Sequence, residues 1–222
     1  MTSILLDAMA IRAEVDEFAQ SEGGDRSAAD CFPAWYLKHT FGVSTTIALQ
    51  HSSDPAVKGK TKGDWGLDAF FLESQASGSV KLHLIQAKYY DALSAIAKGF
   101  KELEKCLPRI AAALDGVGYP EIENKVYVNL RATLQKLRKD DGARIVPDFE
   151  FTVIHLNEQD PMLVRANCRK EIDDLKEEFR TVFSDARCTV DLVGPSQVDI
   201  TDRVDSVDDW FSLTLKATPL RG

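Results

Sequence analysis

The sequence predicts an α/β fold in which a mixed sheet is covered by helices, on three observations. Amphipathic helical segments precede, separate and follow short runs rich in β-branched and aromatic residues. One run, Leu82-His83-Leu84-Ile85-Gln86-Ala87-Lys88, is largely apolar on both of its faces, as a strand buried between two layers must be. A chain of 222 residues with 44% hydrophobic content is long enough for one substantial core, so residues 1–222 are expected to form a single domain.

The elements follow from periodicity and punctuation. Residues 3–21 place Ile4, Leu5, Ala8, Ile11, Val15 and Phe18 at helical spacing, and Ser21-Glu22-Gly23-Gly24-Asp25 ends that helix. A second helix is expected from about Ser27 to His39, perturbed early by Pro33 and closed by Phe41-Gly42-Val43, with Phe32, Trp35 and Tyr36 in the core beneath the sheet. Residues 44–51 read as a first strand. A hairpin occupies about 66–73 and 80–89, joined by the polar, glycine-containing stretch 73–79. A long helix opens near Ala92 and reaches about Leu114, and another spans 120–140. Residues 149–156 form a strand, 161–184 an amphipathic helix, and 188–193 a strand stopped by Gly194-Pro195. Beyond these, 198–209 read as an acidic loop and 210–217 as a last strand.

Charged helical sequence follows the first residues at once, so neither a secretory signal nor a membrane span is expected. Cys31, Cys106, Cys168 and Cys188 lie far apart without metal-site spacing, which fits free thiols in a reducing cytoplasm. The net charge of −8 weighs against a large nucleic-acid interface but not against a local one. Lys58, Lys60 and Lys62 stand just before residue 66, and Arg131, Lys136, Arg138, Lys139 and Arg144 cluster farther on; each group either grips a phosphate backbone or simply solvates its element.

The chemistry-bearing residues are Asp68 and the pair Gln86 and Lys88. Side chains alternate along a strand, so Gln86 and Lys88 face the same way, and Asp68 on the neighbouring strand can meet them. A carboxylate, an amide oxygen and the backbone carbonyl of Ala87 are hard donors suited to Mg²⁺ or Mn²⁺. A lysine beside them can orient a water or stabilise charge developing on a phosphate. Tyr90 shares their face, where it either packs on the next helix or contacts nucleic acid.

With Gln86-Ala87-Lys88 following Asp68 by eighteen residues, the chain resembles the PD-(D/E)XK nuclease superfamily in its Mrr-like form, where glutamine replaces the usual acid. The fuller string Gly63-Asp64-Trp65-Gly66-Leu67-Asp68-Ala69-Phe70 resembles the amino-terminal domain of bacterial abortive-infection phage-resistance (AIPR) proteins. The close match covers residues 63–90. The resemblance implies a restriction-endonuclease-like three-layer sandwich with a central mixed sheet flanked by helices, with Asp68 as metal-binding acid, Gln86 as second ligand and Lys88 as catalytic lysine. It further implies DNA as substrate, a role in anti-phage defence, and a larger carboxy-terminal region or defence partner, so that the chain is either the amino-terminal part of a longer protein or ends after an edge strand. A homodimer is expected on the ground that two sites cut two strands.

One feature departs from the pattern. Such nucleases often carry a further glutamate on the helix before the sheet, and residues 28–37 contain none; Glu17 and Asp30 are the candidates to replace it. Two functions therefore remain, a Mg²⁺-dependent endodeoxyribonuclease or an inactive nuclease-derived module that binds nucleic acid or protein. An acid from these helices beside Asp68 favours the first, its absence the second. His39, His51, His83 and His155 are scattered, and His83, on the opposite strand face, is expected to be structural. Gly116, Gly118 and Gly142 form no phosphate loop.

Overall fold

The computed structural model describes residues 7–53, 66–75, 79–116, 125–141 and 147–198, with side chains in the fifth helix described to residue 136. Helix α1 (Ala8–Ser21) starts where the Asp7 carboxylate accepts the Ala10 N–H at 2.7 Å, and it buries Ile11, Val15 and Phe18 along one stripe. Helix α2 (Ala28–Phe41) is capped by Ser27 and closed by Gly42 in the left-handed conformation, φ 65°. Pro33 lies inside it without ending it. The first strand expected at 44–51 is instead helix α3 (Thr45–Gln50). Its run Ile47-Ala48-Leu49 is too short for periodicity to decide, and the Ser44 hydroxyl, accepting the Ile47 N–H at 3.4 Å, starts a helical turn. Only Ser52 keeps strand character, bridging to Ala69.

The described strands are β1 (Ala69–Ser74), β2 (Val80–Lys88), β3 (Asp148–His155) and β4 (Cys188–Val193), in the sheet order β1-β2-β3-β4. β1 runs antiparallel to β2, while β2, β3 and β4 are mutually parallel, so the sheet is mixed as expected. Helices α4 (Leu93–Leu114) and α5 (Lys125–Asp141) carry the chain from β2 to β3. The single helix expected at 161–184 is two, α6 (Pro161–Asn167) and α7 (Arg169–Val182), parted at Cys168. Cys168 has left helical geometry at φ −98°, ψ 7°, and is fully buried, while Arg165 of α6 reaches across to the Val190 carbonyl of β4 at 3.0 Å. Residues 210–217 lie outside the described residues.

Period-two alternation sends β2 to two different cores. Leu82 and Leu84 join Phe70, Phe149, Phe151 and Val153 under α4, α5 and α7. Ile85 joins Ala69, Phe71 and Ile154 under α1, α2 and α3, where Phe32, Trp35 and Tyr36 fill the layer. The molecule is thus an α/β structure with helices on both sheet faces. Among the described residues no helix is long and apolar enough to cross a membrane. The cysteines are free, and Cys31, Cys106 and Cys168 are buried.

On the α2 face, His83 is the structural residue expected of it. It is 4% exposed, with Nδ1 3.1 Å from Glu150 and Nε2 3.0 Å from Glu73, while Lys81 meets the other Glu150 oxygen at 3.0 Å. The pairing register sets this ladder, since His83 stands opposite Glu150, and Lys81 opposite Glu73. The Glu150 carboxyl is held down to about 2 from 4.5, first by its bond to His83, against the opposing cost of burial. A carboxyl lowered on folding contributes stability that is complete above pH 4.5 and drains away as the pH falls toward 2. Denaturant titrations between pH 2 and 7 should therefore give Glu150→Gln a flatter acid limb than the parent, and parallel limbs would overturn this assignment.

Candidate functional site

Asp68 sits one residue before β1, and its backbone is held from both sides. Its N–H donates to the Ile85 carbonyl at 2.9 Å, and its carbonyl accepts the Ser53 N–H at 2.7 Å. β1 pairs with β2 only up to Ala69 opposite Ile85, so residues 86–88 run on past their antiparallel partner. The Asp68 carboxylate takes up the position that strand would have filled. Its Oδ2 accepts the Ala87 N–H at 2.8 Å and also the Gln86 side-chain amide. Asp68 and Gln86 are 7% and 2% exposed, so the bond between their side chains is buried, and that from the Ala87 N–H is partly so.

The bond to Asp68 fixes which way the Gln86 amide points. Turned over, it would set Oε1 against a carboxylate oxygen. As oriented, Oε1 is buried and has no partner, and it is the only oxygen among the buried unpaired side-chain atoms of the described residues. An unpaired buried acceptor is costly, and most are satisfied in native proteins.

Lys88 lies on the same face one position farther on. Its ammonium meets Glu102 of α4, whose other oxygen is 3.4 Å from Lys98. Two glycines make this approach possible. At Gly99 an added Cβ would lie 3.2 Å from the Lys88 Cε and 3.1 Å from Val153, so the bare helix surface leaves room for the lysine stem. At Gly66, with φ 83°, an added Cβ would come within 1.7 Å of the Glu102 carbonyl oxygen. The chain entering β1 therefore rests directly on α4 beside Glu102.

The structure thus brings Asp68, Gln86 and the Ala87 N–H into direct contact, with Lys88 adjacent. It does not bring Glu17 or Asp30 into a metal-holding group. Glu17 is exposed on α1, and Asp30 accepts the Ser27 hydroxyl at 2.6 Å in the first turn of α2. Both helices pack on the sheet face opposite Gln86 and Lys88, and among the described residues no three His, Cys, Asp or Glu side chains form such a group. Tyr90 does not pack on the next helix, being 64% exposed just past the end of β2. Lys58, Lys60 and Lys62 lie outside the described residues. Burial pushes His39, His51 and His155 each down to about 4, which keeps them neutral near pH 7.

Glu102 is the residue that sequence reasoning missed. Two signals pointed to it: a glycine inside an otherwise regular helix, which marks close approach of another backbone or side chain, and the Lys98 and Glu102 pair at i,i+4 immediately after the lysine strand.

No family model, no curated protein and no solved structure matches this chain.

The contact at Gly66 makes a definite demand on stability. Gly66→Ala introduces both a strained backbone and a clash with helix backbone, and should cost roughly 2–4 kcal/mol in urea denaturation. An unchanged midpoint would mean that residue 66 does not bear on α4.

Proposed function

We propose that the chain is a metal-dependent endonuclease that hydrolyses DNA phosphodiester bonds, with Asp68, Gln86 and Lys88 as its catalytic residues. The observation that carries this reading is the buried Asp68 and Gln86 pair whose remaining amide oxygen has no partner, with an ammonium next along the same strand face. The donor set fits a hard cation: one carboxylate, the Gln86 Oε1 and the backbone carbonyl of Ala87 are all oxygens. A bound Mg²⁺ or Mn²⁺ would supply Lewis-acid polarisation of the phosphate and a water of lowered pKa.

The chain's own groups would do the rest. Asp68 and Gln86 hold the donors in place, because the Ala87 N–H and the strand backbone fix the carboxylate. Lys88, with a side chain only 14% exposed, keeps an ammonium at a largely dehydrated rim, where a hydrogen bond to a phosphate oxygen is worth more than in water. Water oxygen bonds to phosphorus, the bond to the leaving sugar oxygen breaks, and a proton passes to that oxygen. The exposed ring of Tyr90 is available for stacking on a base. The mixed sheet with helices on both faces is compatible with a restriction-endonuclease-like sandwich, and the AIPR resemblance of residues 63–90 favours a cytoplasmic role in bacterial anti-phage defence.

A second reading is favoured by a specific observation. Glu17 and Asp30 lie on helices packed against the other sheet face, so neither supplies a further carboxylate beside Asp68, as expected if the fold has been kept for binding nucleic acid or protein rather than for cutting. Plasmid incubated with the protein in Mg²⁺ or Mn²⁺ separates the two. Nicking should occur and should fall by about 100-fold or more in Asp68→Ala and in Lys88→Ala, with circular dichroism unchanged. A folded parent that never nicks would favour the binding module. Under the nuclease reading Tyr90→Ala should weaken single-stranded DNA binding by about tenfold, within the ~1–3 kcal/mol per base of aromatic stacking, as measured by fluorescence anisotropy.

A further inference from the structure

We infer that Glu102 is a positioning residue for Lys88, fixing the ammonium on the α4 side of the Asp68 and Gln86 pair; the inference rests on the nuclease reading only for what Lys88 then does. Lysine is a long, flexible point charge, and a stem that is free to rotate spends little time in any one place. Three features remove that freedom here. Gly99 gives the stem a bare surface to lie across, Glu102 receives the ammonium, and Gly66 locks the backbone of Glu102 to the segment that carries Asp68. The last contact matters most, because it ties the lysine's anchor to the same chain segment as the carboxylate opposite. Lys98 is 69% exposed and bonds the other Glu102 oxygen, so it steadies the carboxylate without competing for the oxygen that Lys88 uses. Pairs of this kind, 14% and 19% exposed, add little net stability, so the placement of charge is what the arrangement secures.

Two measurements on the full chain test this with Glu102→Gln, Glu102→Asp, Lys88→Ala and the double variant Lys88→Ala/Glu102→Gln. In the first, amine-selective acetylation is followed by mass spectrometry. Glu102→Gln should raise labelling of Lys88 several-fold and leave Lys81, which is paired with Glu150 on the other sheet face, unchanged, while Glu102→Asp should stay near the parent. Equal Lys88 labelling in parent and Glu102→Gln overturns the inference, and a parallel rise at Lys81 assigns Glu102 to general folding instead. In the second, plasmid nicking at saturating metal should drop on the order of 10- to 100-fold in Glu102→Gln, as expected for a misplaced group. The half-saturating metal concentration should not change, and the double variant should lose no more than Lys88→Ala alone. A raised metal requirement would make Glu102 a ligand and sink the positioning role. If the parent nicks nothing while labelling responds as expected, the nuclease reading fails and the placement of Lys88 by Glu102 stands.

Discussion

One carboxylate closing the open end of β2 holds the candidate site together. β1 ends its pairing at Ala69 opposite Ile85, yet β2 continues to Lys88, so the Ala87 N–H faces a place where no strand residue stands. Left unpaired in a buried setting it would cost ~1–3 kcal/mol. Asp68 satisfies it with a side chain instead of a backbone carbonyl, and the same oxygen takes the Gln86 amide. Ending the hairpin and assembling the polar site are therefore a single structural event. The residues that surround Asp68 serve it, since Ile85 and Ser53 clamp its backbone and Gly66 sets its approach from α4.

Burial of Lys88 and Glu102 follows from that approach. The chain crosses α4 at Gly66 with no room for a side chain, and β2 passes Gly99 with room for a lysine stem and little more. Moving two charges out of water is costly, and their attraction recovers that cost only when geometry is good. A leucine and a methionine in the same volume would serve stability as well. The sequence instead keeps a charge pair at the carboxyl end of parallel strands, the edge of an α/β sheet where ligands usually bind.

Much of this was legible from residues alone, for reasons that differ element by element. The strand carrying Gln86 and Lys88 was readable because period-two alternation needs no tertiary information, and the split of Leu84 and Ile85 between two cores follows from it. Residues 44–51 were misread because the three-residue apolar run Ile47-Ala48-Leu49 satisfies either period, and a capping serine decided the matter. The break at Cys168 was invisible because nothing in that stretch is a helix breaker; only the reach of Arg165 to β4 marks it. Asp68 and Gln86 could be paired from sequence, whereas Gly99 and the Lys98 pair only mark Glu102, and its contact with Lys88 depends on how α4 crosses the sheet. The third acid was sought on α1 and α2 by analogy, and the packing of those helices on the other face excludes them from the Gln86 side.

The two polar faces of β2 show where chemistry can occur. His83 and Gln86 are both nearly inaccessible polar side chains of one strand, and they differ in how completely they are paired. Each ring nitrogen of His83 meets a carboxylate, Phe41 covers the ring at 4.7 Å, and Lys81 meets the other Glu150 oxygen. The groups of that cluster are paired with one another across three strands. On the opposite face the Gln86 Oε1 accepts nothing, while the Ala87 N–H donates to Asp68 and the Lys88 ammonium meets Glu102. Buried acceptors are normally satisfied because leaving them bare is expensive. The fold thus pairs the polar groups on one face of the strand and leaves an acceptor open on the other, beside a carboxylate and an ammonium, and it is this open acceptor that the proposed cation would occupy.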